Sequence, residues 1–183
     1  MKPICTIDLR VRIWYCPSIF NIYFMGENHE LKIRKTLING IESAKNSIRL
    51  AVAYFSDMEI ADLIKKRAGD GLVVEVVIYD HPVNSPTILE FNSKNINMHF
   101  YDINNSNPIY PKFCIIDEEI LVTGNHGWAY AANRTEHPDP VIVNNESRLI
   151  EEYLNKFRFF KKNCGSSRFV HFKTKPEILV RYQ

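Results

Sequence analysis

The sequence predicts an α/β domain in which a mixed β-sheet is flanked by helices on both faces. Apolar runs of strand length alternate along the chain with segments whose apolar residues recur at helical spacing, the order that builds layered α/β domains. Two of these runs, Ser47–Phe55 and Leu72–Tyr79, are apolar almost throughout, which is typical of parallel strands covered on both faces. With 183 residues, the chain is long enough for one domain with a sizeable core.

The chain begins with a predicted strand over residues 5–14, because apolar and charged side chains alternate there with a period of two. A short aromatic strand is predicted at Asn21–Phe24. Asn28 is the predicted N-cap of a first helix. The apolar residues of that helix recur at helical spacing and include Ile33, Leu37, Ile38, Ile41 and Ala44.

The middle of the chain continues the alternation of strands and helices. After the Ser47–Phe55 strand, Ser56 or Asp57 can cap a second helix, which ends with the cations Lys65-Lys66-Arg67. Positive charge suits the carboxyl end of a helix dipole. The Leu72–Tyr79 strand follows. The next three elements are a short helix within Pro82–Asn95, a strand at Ile96–Tyr101 and a polar loop at Asp102–Pro108.

The segment Tyr110–Asp117 predicts a buried strand at the centre of the sheet, and Glu119–Gly124 predicts its return strand in a hairpin. The later elements are a short helix at Trp128–Asn133, a rigid loop at Glu136–Pro140, a strand at Val141–Val143, an amphipathic helix with Leu149, Ile150, Tyr153, Leu154 and Phe157, and a strand at Phe169–Phe172. The buried set is predicted to include Leu50, Val52, Val74, Val76, Phe113, Ile115 and Val122.

Composition narrows the class of protein. The core is predicted over residues 21–160, with the strand at 5–14 and a basic tail at 164–183 as additions to one domain. A formal net charge of +2 neither requires nor excludes a nucleic-acid partner. No apolar run is long enough for a transmembrane helix, and charges interrupt any signal-peptide core. The four cysteines, Cys5, Cys16, Cys114 and Cys164, have no metal-type spacing, so we expect a reduced, cytoplasmic protein.

The most informative stretch of the chain lies between Tyr110 and Gly124. Lys112 and Asp117 are separated by four residues, and Thr123-Gly124 ends the next predicted strand. This pattern resembles the HxKxxxxD strand of the phospholipase D superfamily, whose next strand ends in Gly-Ser. The order of elements from Asn21 to Phe160 resembles a single-motif domain of that superfamily, the group that includes small bacterial endonucleases and mitochondrial cardiolipin hydrolases.

The resemblance implies a phosphodiesterase site that needs no metal and no other cofactor. In the family a His attacks the phosphodiester to form a phosphohistidine, and a second His protonates the leaving oxygen. A Lys beside each His neutralises the non-bridging oxygens, the role that the resemblance gives to Lys112. Asp117 would hold the strand. Single-motif members pair two chains, each supplying one His and one Lys, so we expect a homodimer through the motif face.

The sequence departs from the family where the family contacts phosphate. Tyr110 stands where the motif His would be, Asn125 replaces the Ser, and Gly127 replaces an Asn. Scaffold positions such as Asp117 and Trp128 match. These departures predict impaired hydrolysis. A relocated nucleophile is the alternative, with Tyr110 or His126 as candidates. His171-Phe172-Lys173 is a literal HxK, but no Asp or Gly-Ser follows at the required positions.

Three functions remain open from the sequence alone. In the first, the chain binds nucleic acid or another phosphodiester through Lys112 and Asn125 without efficient hydrolysis. Alternatively, it is an active nuclease or phospholipase with a relocated catalytic group, or it is an interaction subunit without a ligand. A backbone-binding surface would be extended by the basic residues Lys32, Arg34, Lys35, Lys65, Lys66, Arg67, Arg168, Lys173 and Lys175.

Overall fold

The computed structural model describes residues 6–8, 13–16, 20–23, 29–92, 95–102, 110–124, 128 and 141–165. The strands in these ranges are β1 Thr6–Asp8, β2 Ile13–Cys16, β3 Phe20–Tyr23, β4 Ser47–Val52, β5 Val73–Tyr79, β6 Ile96–Tyr101, β7 Lys112–Ile116, β8 Ile120–Thr123 and β9 Val141–Asn144. The helices are α1 His29–Ser43, α2 Met58–Gly69, α3 Ser85–Phe91, which follows a 3₁₀ turn at Pro82–Asn84, and α4 Ser147–Lys162.

The described strands form one mixed sheet in the order β1-β2-β3-β9-β8-β7-β4-β5-β6. Strands β4, β5 and β6 are parallel, whereas β7 runs antiparallel to both of its neighbours, β4 and β8. The strand that carries the motif is therefore interior to the sheet, as the sequence predicts. Its two hydrogen-bonded neighbours fix the position of Lys112, which pairs with Val52.

Helices cover both faces of the sheet, and each covered face has its own apolar core. The first core contains buried residues of α1, α2 and α3 together with one face of β4, β5 and β7. The second core lies under α4, whose Ile150, Leu154 and Phe157 pack with Phe113 and Ile115 of β7. All seven residues predicted to be buried are at most 5 % exposed. The predicted fold class is confirmed.

Local signals explain where α2 begins and ends. The Asp57 side chain accepts a hydrogen bond from the Ile60 N–H at 3.2 Å, so Asp57 is the N-cap rather than Ser56. Lys66 and Arg67 occupy the last turn, where cations offset the negative end of the helix dipole. None of the described helices is long and apolar enough to span a membrane.

One prediction about the N-terminal region is wrong. The alternation over residues 5–14 predicts a single strand, whereas β1 and β2 form an antiparallel pair in which Asp8 faces Ile13. Residues 9–12 contain no Gly, Pro or Asn, the residues that usually mark a reversal in sequence. The period of two suits one strand or two successive strands, so the pattern alone does not distinguish them.

Some predicted features lie outside the described residues. These are the N-cap Asn28, the loop at 102–108 apart from Asp102, the helix at 128–133 apart from Trp128, the loop at 136–140 and the strand at 169–172. Of the four cysteines, Cys114 and Cys164 are free thiols. Complete burial raises the pKa of the Cys114 thiol to about 12, so Cys114 behaves as a small hydrophobic core residue.

Candidate functional site

The β7–β8 hairpin places two parts of the motif side by side. The carbonyl oxygen of Lys112 accepts hydrogen bonds from the Gly124 N–H at 3.1 Å and from the Thr123 hydroxyl at 3.2 Å. Gly124 has a φ of 138°, a conformation that side chains with a Cβ rarely adopt. The predicted hairpin, in which Glu119–Gly124 returns along the motif strand, is therefore confirmed.

A cleft of about 700 Å³ opens at this end of the hairpin. Its lining comes from the beginning of β7, the end of β8 and one face of α4. The lining residues are Tyr110, Pro111, Lys112, Phe113, Thr123, Gly124, Glu152, Tyr153, Asn155, Lys156, Phe159 and Phe160. A cavity of this size is in the range that accommodates a small molecule or a nucleotide-sized part of a larger one.

The structure brings Tyr110 and Lys112 to the same cleft. Tyr110 precedes the first residue of β7 and is 50 % exposed. Its ring centroid lies 5.6 Å from that of Tyr79 and 6.4 Å from that of Tyr54. The side chain at the position of the motif His therefore rests against an aromatic group of the sheet, while half of its surface faces solvent.

The aromatic group lies where the parallel strands end. Tyr54 follows β4, Tyr79 is the last residue of β5 and Tyr101 is the last residue of β6. The rings of Tyr79 and Tyr101 stack at 5.7 Å, and His81 meets Tyr54 edge-on at 5.3 Å. Ligands of open α/β sheets commonly bind at the carboxyl ends of parallel strands. Burial raises the pKa of Tyr79, and the nearby Tyr110, Tyr101 and Tyr54 raise it further, so Tyr79 stays neutral.

A buried amide fixes the segments that carry these rings. The Asn84 side chain accepts a hydrogen bond from the Phe55 N–H at 2.8 Å and donates to the carbonyl oxygens of Ala53 at 2.8 Å and Tyr79 at 2.9 Å. Thr87 donates from its hydroxyl to the Phe55 carbonyl oxygen at 2.6 Å. Since Asn84 joins the ends of β4 and β5, it sets the separation of Tyr54 and Tyr79.

Helix α4 forms the opposite wall of the cleft. The Lys156 ammonium lies 4.1 Å from the centroid of the Tyr153 ring and 2.9 Å from a Glu152 carboxylate oxygen. Tyr153 packs edge-on against Phe113 at 5.0 Å, and its hydroxyl lies 3.4 Å from that of Thr123. Sequence reasoning did not identify Glu152 and Lys156 as cleft residues, because charged pairs four residues apart occur on many exposed helix faces.

Asp117 lies at the other end of β7, away from the cleft. Asp117 is five residue steps along the strand from Lys112, a distance of about 16 Å. Its carboxylate accepts hydrogen bonds from the backbone N–H groups of Lys45, Asn46 and Ser47 at 2.7–2.8 Å. Burial alone would raise the pKa of Asp117, but these three bonds outweigh it and hold the pKa below its ordinary value. The contacts suit the strand-holding role that the resemblance implies.

The remaining candidates, Asn125 and His126, lie outside the described residues, as do Gly127 and the segment 171–173. Trp128 is described and buried. Its carbonyl oxygen accepts hydrogen bonds from the Ser56 and Asp57 N–H groups, and its ring meets Phe55 edge-on at 5.7 Å. Within the described ranges, no group of three or more His, Cys, Asp or Glu side chains is arranged to hold a metal ion.

Lys112 lies at the cleft at one end of the central antiparallel strand. Asp117 holds the other end through its hydrogen bonds to the backbone. This arrangement is typical of an α/β domain with a phosphodiesterase fold. The chain belongs to the phospholipase D-like family, because residues 37–160 match the model described as cardiolipin synthase, PLD-like domain. This match includes the motif strand, its hairpin partner and nearly all of α4. Strands β1 to β3 lie outside it.

Solved structures of phospholipase D-like proteins share the fold. NucT from Helicobacter pylori is 21 % identical, with a TM-score of 0.67 over 79 % of this chain and 98 % of its own. Nuc from Salmonella typhimurium, a phospholipase D family member, is 22 % identical, with a TM-score of 0.63 over 80 % of this chain and 95 % of its own. TrmBL2, an archaeal DNA-binding chromatin protein, is 15 % identical, with a TM-score of 0.58 over 79 % of this chain and 54 % of its own. Comparison with curated proteins gave no significant match.

Proposed function

We propose that the chain binds nucleic acid or another phosphodiester at the Lys112 cleft and hydrolyses it weakly or not at all. The observation that carries this proposal is that Tyr110 and Lys112 line the same cleft. Tyr110 stands in the position of the family's nucleophile, yet its ring packs against Tyr79 and Tyr54. Lys112 keeps the family position that faces phosphate.

Phosphate binding is supported by the composition of the cleft. Lys112 and Lys156 line it together with the backbone of Gly124, and Glu152 is the acidic side chain among the lining residues. An ammonium group is a strong partner for a phosphodiester anion. Lys156 is paired with Glu152, but both side chains are about half exposed, so this ion pair is weak and can be exchanged for contact with phosphate.

Impaired hydrolysis follows from the loss of covalent catalysis. A Tyr hydroxyl has an ordinary pKa of about 10 and needs a base or a cation before it can attack phosphorus. In one well-studied protease, removal of the catalytic groups leaves only about 10³–10⁴-fold acceleration over the uncatalysed reaction. The residues that remain in the cleft can bind and polarise a phosphodiester, which matches a binding role better than turnover.

A nucleic acid is the proposed ligand rather than a lipid headgroup. TrmBL2, which shares the fold, is described as a DNA-binding protein. We also propose that the chain forms a homodimer through the motif face, as the resemblance to single-motif relatives implies. A dimer of this kind would place two Lys112 side chains near one bound strand, which would strengthen electrostatic attraction to the nucleic-acid backbone.

The test is equilibrium binding of a fluorescent single-stranded oligonucleotide, followed by anisotropy at several salt concentrations. We expect Lys112→Ala to weaken binding and to lower the slope of log affinity against log salt by about 0.7, the contribution of one phosphate contact on a single strand. The matched control is Lys45→Ala, an exposed Lys beside Asp117 at the far end of β7. Equal effects of the two variants would contradict the proposal.

Hydrolysis assays separate the alternatives. The same protein is incubated with single-stranded DNA, RNA and a chromogenic phosphodiester, and we expect no turnover above that of Lys112→Ala. Robust turnover that is abolished by Tyr110→Phe or His126→Ala would instead identify an active enzyme with a relocated nucleophile. Absence of both binding and turnover would leave the role of an interaction subunit.

A further inference from the structure

The cleft combines exposed aromatic rings with cations. Among the side chains whose exposure the structure describes, six large hydrophobic ones are exposed, and two of these, Tyr110 and Phe159, are aromatic. Both line the cleft, where Lys112 and Lys156 also lie. Exposed rings of this kind are costly to leave in water, so two of them in one concave site suggest a ligand with flat apolar faces.

The Tyr110 ring is supported by neighbouring aromatic rings and could provide a surface for stacking. Its contacts with Tyr79, which is fully buried, and with Tyr54 restrain the ring from one side. Asn84 fixes the ends of the strands behind it. Because the supporting groups are already ordered, a flat ligand that stacks on Tyr110 would lose little additional conformational freedom from the protein.

We infer that Tyr110 and Phe159 stack on unpaired bases of a single-stranded nucleic acid, while Lys112 and Lys156 hold the neighbouring phosphates. This inference rests on the proposed phosphodiester binding and specifies its substrate class. A side chain that replaced the nucleophile thus gains a recognition role. Rings that alternate with cations along a groove are the usual means of binding single strands without sequence specificity.

Paired DNA is a poorer ligand for these rings than a single strand. In a duplex both faces of each base are covered by its neighbours, so a ring can stack only on a base that is unpaired or has left the stack. A lipid headgroup would satisfy Lys112 and Lys156 but offers no flat face to Tyr110. The difference between these ligands can therefore be measured on the same site.

The experiment compares four probes by anisotropy or competition. They are a deoxythymidine oligonucleotide of about 12 nucleotides, an abasic strand of the same length and charge, a duplex, and vesicles that contain phosphatidylglycerol. We expect the deoxythymidine strand to bind at least about 25-fold more tightly than the abasic strand or the duplex, because two rings should each contribute about fivefold or more. Equal binding of the abasic and deoxythymidine strands would overturn the stacking inference, and preferential binding to vesicles would replace it with a lipid ligand.

Variants then assign the effect to the rings. Tyr110→Ala and Phe159→Ala should each weaken binding of the deoxythymidine strand by about five- to a hundredfold, with little change for the abasic strand. Tyr110→Phe keeps the ring and should bind within about twofold of the unmodified protein. The matched control is Leu89→Ala, an equally exposed apolar side chain on α3. If Tyr110→Phe loses as much affinity as Tyr110→Ala, the hydroxyl rather than the ring is responsible, and the inference is wrong.

The two proposals fail in different ways. If Lys112→Ala weakens every nucleic-acid probe while the ring variants change none, phosphodiester binding stands and stacking is rejected. If Lys112→Ala has no more effect than Lys45→Ala, the proposed function itself is rejected. Thermal unfolding of each variant shows whether a loss of binding reflects a loss of folding. Tyr110→Phe and Phe159→Tyr, which preserve the rings, provide the corresponding comparison if an alanine variant does not fold.

Discussion

The ring of Tyr110 lies 5.6 Å from the ring of Tyr79, with an angle of 45° between their planes. The resemblance assigns Tyr110 to the family position of the nucleophile, and Tyr79 is the buried last residue of a central parallel strand. The contact joins the site to the core. The side chain at this position has a ring that is anchored by packing against Tyr79 and Tyr54.

This anchoring predicts that Tyr110→His alone does not restore hydrolysis. The imidazole would be smaller than the phenol and would lose part of the contact with Tyr79, and the site would still lack the Ser and Asn that the family has at positions 125 and 127. We expect turnover of a chromogenic phosphodiester to remain near background. The combined variant Tyr110→His, Asn125→Ser and Gly127→Asn should hydrolyse the same substrate measurably faster than this background. Full activity from the single change would show that position 110 alone limits catalysis.

The lowered pKa of Asp117 predicts that the folded protein loses part of its stability in acid. Folding holds its pKa below the ordinary value of 3.8, so the unfolded chain binds more protons as the pH falls. The stabilisation is complete above that ordinary value and is lost as the pH falls through the folded-state pKa. Denaturant unfolding between neutral pH and pH 3 should show that Asp117→Asn is less stable at neutral pH and loses less on acidification. Asp62→Asn, an exposed change on α2, should follow the unmodified protein.

Asn84 should be among the positions most sensitive to substitution. Asn84→Ala removes the Asn84 hydrogen bonds of the Phe55 N–H and the Ala53 carbonyl oxygen in a fully buried site, whereas the Tyr79 carbonyl oxygen keeps its hydrogen bond from the His81 N–H. We expect a loss of about 2–4 kcal/mol in the free energy of unfolding. Asn92→Ala, at an exposed position after α3, should change it by less than about 0.5 kcal/mol. A loss at Asn84 no larger than at Asn92 would mean that water replaces the amide.

The packing of α1 on the motif strand can be tested at a glycine. A Cβ at Gly40 would lie 3.0 Å from the Cδ1 atom of Ile116, whereas a Cβ at Gly69 would meet nothing within 4 Å. Gly40→Val should therefore destabilise the fold by about 1–3 kcal/mol through overpacking. Gly69→Val should be neutral within about 0.5 kcal/mol. Chemical denaturation measures both, and equal effects would show that α1 moves away from β7 at little cost.

Assembly is a separate prediction. We expect a homodimer at micromolar concentration whose interface lies beside Lys112 and Asn125, as the resemblance implies. Light scattering gives the mass, and Phe159→Glu should weaken the association if the interface reaches the cleft. A monomer at these concentrations, or a dimer that Phe159→Glu leaves unchanged, would separate this chain from the single-motif arrangement.

The sequence predicted the sheet well because its signals are long and continuous. Ser47–Phe55 and Leu72–Tyr79 have the apolar composition of strands buried on both faces, and β4 and β5 occupy most of these ranges. The apolar pattern likewise predicted that Glu119–Gly124 would return along the motif strand as the second strand of a hairpin. These features depend on neighbouring residues or on a regular period.

The other parts of the site depend on contacts between distant residues. Nothing local to Tyr54, Tyr79 or Tyr110 shows that their rings meet, because they come from three separate segments of the chain, after β4, at the end of β5 and before β7. Lys156 reaches the cleft only because α4 packs across β7 through Phe157 and its neighbours. The amphipathic pattern of α4 predicted its buried face but not which exposed residues would overhang the end of β7.

Strands β1 to β3 have a consequence for how the molecule avoids unwanted association. Through four residue pairs, β3 occupies the outer side of β9, which would otherwise be the border of the family-matched part of the sheet. Without β3, the backbone N–H and C=O groups on the outer side of β9 would be unpaired and could form hydrogen bonds with a strand of another molecule. Strands β1 to β3 therefore protect this edge of the sheet from pairing with another chain. Deleting residues 1–28 would expose it and favour growth of the sheet from one molecule into the next.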